Sequence, residues 1–207
     1  MTTRVYRTDE RHLLGEGEVA DRAGLAAAVR ELIEAAVLTA APPADVRAAT
    51  AEVEAATARL RTARHDLPPL APPEAGGMAR QLANPVGGAL NPIAPPVAIA
   101  VLPDGTARAE FTLSAVHEGP PSFVHGGVSA MILDQLLGVA ALANGTPGMT
   151  ARLDLRYRRP TPFGVPLVAE GKASGSEGRK TFAEARITGP DGRVTVEATA
   201  MFVMPVR

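Results

Sequence analysis

From residue 97 onward the apolar and polar positions repeat with two different periods. Met149, Ala151, Leu153, Leu155 and Tyr157 alternate with Thr150, Arg152, Asp154, Arg156 and Arg158, the period of two that marks a strand with one face covered. The same reading predicts strands over 97–102, 107–116, 165–174, 179–188 and 194–203. Pro103-Asp-Gly-Thr106, Gly175-Ser-Glu-Gly178 and Pro190-Asp-Gly192 supply the turns between them. Between the second and third strands the pattern breaks. From Val128 to Leu142 apolar residues cover nearly the whole circumference of a helix, interrupted only by Ser129, Asp134, Gln135 and Gly138. A helix of that kind is expected to be buried all round. One helix laid against an antiparallel sheet is an α+β layer architecture.

Upstream the period is helical. Asp21 is placed to cap a helix in which Leu25, Val29, Leu32, Ile33, Ala36 and Val37 recur until Pro42-Pro43. A second helix is predicted over 44–64, with Val46, Ala49, Val53, Ala56, Leu60 and Ala63 at alternating steps of three and four. That stripe is narrow and alanine-rich, so it buries little alone and calls for the first helix, the downstream domain or a partner chain beside it. Residues 67–96 then shift to Pro, Gly and Ala, with Pro68-Pro69, Pro72-Pro73, Gly76-Gly77, Gly87-Gly88 and Pro95-Pro96, the composition of a linker extended along a surface. The organisation expected is a helical hairpin extension over 1–66, a linker over 67–96 and an α+β domain over 97–207. The break after the central helix is read at Asn144-Gly-Thr-Pro-Gly148.

Candidate chemistry gathers at the start of the central helix. Pro120 and Pro121 hold the preceding segment out of helix, and His125-Gly126-Gly127 makes a tight turn whose N–H groups are unpaired at the helix start, a ready site for an oxyanion. Asp134 sits two turns in, where an ionised carboxylate among apolar neighbours costs several kcal/mol, roughly, unless something pairs or uses it. Turn and carboxylate share one helix, within about 15 Å by the rise per residue, which suits donors and base converging on one substrate group.

Composition removes the competing classes. Formal charge is −1 and aromatic residues make up 3%, so the chain lacks the basic stripe and stacking platforms of a nucleic-acid binder. With Cys 0 there is no thiolate nucleophile, disulfide or cysteine zinc site, and His12, His65, His117 and His125 show no ligand spacing. No metal or cofactor is called for. No Gly-x-Ser-x-Gly elbow occurs, and no uninterrupted apolar stretch is long enough to span a bilayer. The charged start of the chain, without the apolar segment of a signal peptide, points to the cytoplasm.

The ordered motifs resemble a known family. Val124-His-Gly-Gly127, Leu133-Asp134 and Gly138 are similar to the signature of hotdog-fold acyl-CoA thioesterases of the PaaI type. Glu118-Gly-Pro-Pro-x-Phe-Val-His-Gly-Gly127, Met149-Thr-Ala-x-Leu153 and Tyr157-x-Arg-Pro160 resemble the mitochondrial long-chain members of that superfamily, and the resemblance runs from about Asn91 to Val203. It implies a hotdog fold, a homodimer or dimer of dimers, and hydrolysis of acyl-CoA at the dimer interface. Gly126 and Gly127 would polarise the thioester carbonyl, Asp134 would act as general base or nucleophile, Thr150 would position water from the opposing subunit, and His125 would orient the site. Gly119 stands about where many PaaI-type enzymes carry an Asn. Lys172, Arg179 and Lys180 on one hairpin, with Arg158 and Arg159, are the cations available to an anionic nucleotide tail. The alternative on the same fold is a non-hydrolytic acyl-CoA-binding or scaffold protein in which the helical extension does the work.

Overall fold

The computed structural model describes residues 11–73, 79–145 and 148–205. The first ten residues, Gly76-Gly77 of the expected linker and Thr146-Pro147 of the expected break lie outside them. The chain divides into two compact units: one runs to Asn84 and takes in Gly88–Pro92, and the other comprises Pro85–Gly87 and Ile93–Arg207.

In the first unit, helix α1 (Glu16–Leu38) begins earlier than the pattern predicts, with Gly15 and not Asp21 at its cap. The reason is local: the Gly15 N–H donates to the Glu18 side chain at 3.2 Å, and Val19 is buried in the first turn, so packing and that one side-chain cap extend the helix beyond the apolar stripe. Helix α2 (Pro43–Arg61) starts on Pro43, whose missing N–H costs nothing in the first turn. The chain returns on itself at its end, where the Arg22 guanidinium donates to His65 Nε2 at 3.3 Å and the His12 and His65 rings stack 4.9 Å apart. Within the stretch read as linker, β1 (Leu70–Ala71) and β2 (Arg80–Gln81) pair antiparallel. Leu14, Val19, Ala71 and Leu82 cluster there, so a few apolar side chains between the prolines turn part of that stretch into a small core.

The second unit is a six-stranded antiparallel sheet around one helix. Its strands are β3 (Ala100–Val101), β4 (Ala107–Thr112), β5 (Met149–Tyr157), β6 (Pro166–Glu177), β7 (Lys180–Thr188) and β8 (Val194–Val203), in the order β3-β4-β6-β7-β8-β5. The first two are shorter than predicted. β3 is an edge strand following Pro95-Pro96, and after Thr112 the chain leaves the sheet for a 3-10 turn, Ala115–His117.

Helix α3 (Gly126–Ala143) lies across β4, β6, β7 and β8. It buries Ser129, Ile132, Leu133, Leu136, Leu137, Ala140 and Ala141. The expected all-round burial does not occur, because the sheet covers one side only: Met131, Asp134, Gln135 and Gly138 are half-buried, and Leu142 is exposed. By length and composition α3 is apolar enough to cross a membrane, although Ser129, Asp134 and Gln135 interrupt its apolar run; its apolarity serves the core. Close approach of helix and sheet needs Gly171 on β6, where a Cβ would lie 2.6 Å from Leu136 Cδ2.

Candidate active site

A tight loop delivers the chain to α3. The Gly119 N–H donates to the Phe123 carbonyl and the Phe123 N–H to the Pro120 carbonyl, each at 2.9 Å. Ser122 adopts a φ of 72°, with its N–H held by the Glu118 carboxylate at 2.7 Å. At Gly119 a Cβ would lie 2.7 Å from His125 Cα, so this glycine lets the loop close on the turn; the sequence offered it only as a missing Asn.

His125 caps the helix. Its Nδ1 accepts the Gly127 N–H at 3.0 Å, and its carbonyl accepts the Val128 N–H at 3.0 Å. The two glycines therefore differ. Gly127, expected to offer a second oxyanion donor, has its N–H occupied by the cap, whereas the Gly126 N–H makes no hydrogen bond among the described residues. The Gly126 carbonyl accepts a hydrogen bond from the Tyr157 hydroxyl at 2.9 Å, so the last residue of β5 fixes the turn. Pattern analysis assigned Tyr157 no role; its place in Tyr157-x-Arg-Pro160 was the available signal.

Asp134 is half-buried on α3, and its Oδ1 accepts the Thr150 hydroxyl at 2.9 Å. Both residues belong to one chain. The resemblance implied a Thr150 supplied by the opposing subunit; within the chain, β5 starts soon after the turn at Gly145 (φ 80°) and brings its own Thr150 back alongside the helix. The carboxylate is thus not sealed in the core as the apolar helix implied. A second expectation also changes. Gly126 and Asp134 are eight residues apart on one helix, about 12 Å along its axis, too far for one chain's donor and carboxylate to touch the same carbonyl group.

The cations do not form one cluster. Lys172 pairs with Asp104 at 3.1 Å, and Asp104, held by the Thr106 backbone N–H, the Thr106 hydroxyl and then Lys172, has its pKa lowered to about 2. Arg179 donates to the Met204 carbonyl at 3.0 Å, Arg159 to the Val194 carbonyl at 2.8 Å, and Arg158 pairs with Glu197 at 2.7 Å. Lys180 has no side-chain partner among the described residues. It lies across β8 from Met149, at the opposite end of β5 from Arg158 and Arg159. Among the described residues no group of three or more His, Cys, Asp or Glu comes together to hold a metal.

With that geometry in hand, known proteins resemble the chain as follows. A family model described as the thioesterase superfamily matches residues 122–196. The chain is similar to acyl-coenzyme A thioesterase THEM4 of Xenopus laevis, 38% identical over 87 residues, which is 42% of this chain and 39% of that protein. Its match thus spans about two fifths of that relative's length. Among solved structures it is similar to the crystal structure of a thioesterase superfamily protein, 35% identical with a TM-score of 0.79 over 88% of this chain and 94% of the other. In fold alone it is similar to a Streptococcus mutans protein bound to acetyl CoA, 19% identical with a TM-score of 0.50 over 54% of this chain and 90% of that one.

Proposed function

The chain belongs to the thioesterase superfamily and has its hotdog fold, and from that premise we propose that it hydrolyses acyl-CoA thioesters to the free acid and CoA. The observation that carries the reading is the Asp134–Thr150 pair on the open side of α3, in a chain whose Gly126 N–H stands unpaired at the helix start. In the proposed reaction the Gly126 N–H and the positive end of the helix dipole stabilise the negative charge that develops on the thioester oxygen. Thr150 donates to Oδ1 of Asp134 and orients the carboxylate. As general base, Asp134 takes a proton from water as the oxygen attacks the carbonyl carbon; the C–S bond then breaks and the thiolate leaves with a proton. As nucleophile, a carboxylate oxygen of Asp134 instead attacks the carbonyl carbon and expels the CoA thiolate as the C–S bond breaks; water then hydrolyses the mixed anhydride to the free acid and restores Asp134.

The reading requires a homodimer. The 12 Å or so along α3 between donor and base is bridged if Gly126 of one copy faces Asp134 of another across a two-fold axis. Supporting this, β5 is an edge strand with Met149 54% and Tyr157 56% exposed, and the uncovered face of α3 lies beside it. A cytoplasmic location completes the proposal, checked by cell fractionation.

Thiol release across a panel of acyl-CoAs tests the activity, and because the chain holds Cys 0 a thiol reagent reports only released CoA. Tight binding of acyl-CoA with no thiol release would leave the non-hydrolytic, scaffold role. Tyr157→Phe is expected to lower kcat by about tenfold with little change in KM, the effect of losing one hydrogen bond to a turn that acts in the transition state. An equal rise in KM would show instead that Tyr157 merely shapes the binding surface.

Of the cations expected to meet the nucleotide, Lys180 is the one whose side chain is not engaged elsewhere among the described residues. Lys180→Glu should raise KM for acyl-CoA well above its effect on a truncated acyl-pantetheine, and added salt should narrow the gap. Identical effects on the two substrates would remove this hairpin from the site.

A further inference from the structure

Helix α2 has no buried residue, and Val46, Val53 and Leu60 on its single apolar stripe are 42%, 41% and 54% exposed. They recur every seven residues, with Ala49 and Ala56 between them, the spacing of a seam that packs helix on helix. A helix of 19 residues without tertiary contacts is only marginally stable in water. Alanine at alternate seam positions narrows the seam and lets a second helix approach closely.

Charge selects the partner. Glu52 precedes Val53 and Arg59 precedes Leu60, so the two flank the same side of the stripe, and neither has an ion pair or side-chain hydrogen bond among the described residues. We infer that α2 is a docking surface for α2 of a second copy of this chain, running antiparallel. In that register Val53 lies against Ala56 of the second copy and Leu60 against Ala49, so each of these two large residues meets a small one. The same register sets Glu52 beside Arg59 of the second copy, and the two-fold axis repeats the pair. The contact lies in the first unit and does not depend on the catalytic reading.

The chain holds Cys 0, so an introduced cysteine is unique. Two differently tagged full-length variants, Val53→Cys and Ala56→Cys, are mixed and oxidised; a disulfide carrying both tags is the expected product. Ala51→Cys mixed with Ala58→Cys, on the opposite face of α2, should give none. Adding Glu52→Arg to both seam variants should abolish the mixed product, and adding Arg59→Glu as well should bring it back, which a face that merely covers another part of the chain would not do. Absence of the mixed disulfide at the seam, or equal cross-linking on both faces, with helix content unchanged by circular dichroism, overturns the inference.

Discussion

Asp134→Ala is expected to fold, to keep its thermal stability within about 1 kcal/mol, and to lose kcat by about a thousandfold, the middle of the range for removing a positioned base. The stability claim rests on geometry: Asp134 is half-buried with one face open, and its partner is the single hydroxyl of an exposed Thr150. Removing the carboxylate leaves that hydroxyl free to bond water, so no buried group is orphaned. Thr150→Ala should be milder, about tenfold in kcat, because it removes one hydrogen bond to the carboxylate and leaves the base in place. Thiol release and a thermal melt on the same samples decide the matter. A variant at Asp134 that melts like the parent and turns over within a few-fold of it would falsify the assignment.

The second large effect is expected from a backbone donor. Gly126 is the first residue of α3, a position where proline fits because its missing N–H has no helical partner, and His125 before it has φ −60° and ψ 133°, the region a residue preceding proline prefers. Gly126→Pro therefore deletes the N–H of the turn that makes no hydrogen bond among the described residues, with little demand on the helix. A Cβ there would lie 3.2 Å from the Tyr157 hydroxyl, so Gly126→Ala, which carries the Cβ and keeps the N–H, is the reference. Relative to it, Gly126→Pro should lose about a hundredfold to a thousandfold in kcat, as when one oxyanion donor is removed.

Mixing then locates the site. If donor and base come from different copies, a heterodimer of Gly126→Pro and Asp134→Ala has one site with both lesions and one intact, and co-refolding should recover about a quarter of the parent activity. Mixing Asp134→Ala with Thr150→Ala should recover nothing, because those residues act within one chain. Recovery in the second mixture and none in the first would reverse the assignment of residues to subunits.

Much of the architecture was legible in residue order. Alternation from Met149 to Tyr157 and from Val194 to Val203 matches β5 and β8 at both ends; in β8 it follows a covered face, whereas in β5, an edge strand, Met149, Ala151 and Tyr157 are exposed and Leu153 and Leu155 are half-buried. Boundaries set by packing were less legible. Gly15 replaced Asp21 as the cap of α1 because a buried Val19 and the Glu18 side chain carried the helix further, and part of the Pro-rich stretch condensed around Leu70, Ala71 and Leu82. The apolar composition of α3 implied burial on all sides, but composition cannot say which face a sheet covers and which it leaves open.

The sequence by itself determined the kinds of group present and their spacing along the chain: a helix beginning at His125-Gly-Gly127, a carboxylate at Asp134 and a hydroxyl at Thr150. The tertiary structure alone decided which of them meet. It consumed the Gly127 N–H in the His125 cap, left that of Gly126 free, tied Tyr157 to the turn, and joined Asp134 to Thr150 while holding the carboxylate far from the donor on the same helix. The physical reason is that hydrogen bonds reach about 3 Å in space whatever the separation in sequence. Helix rise sets the distance between Gly126 and Asp134 rigidly, whereas the contacts of Thr150 and Tyr157 exist only after β5 has paired with β8 and turned back along α3.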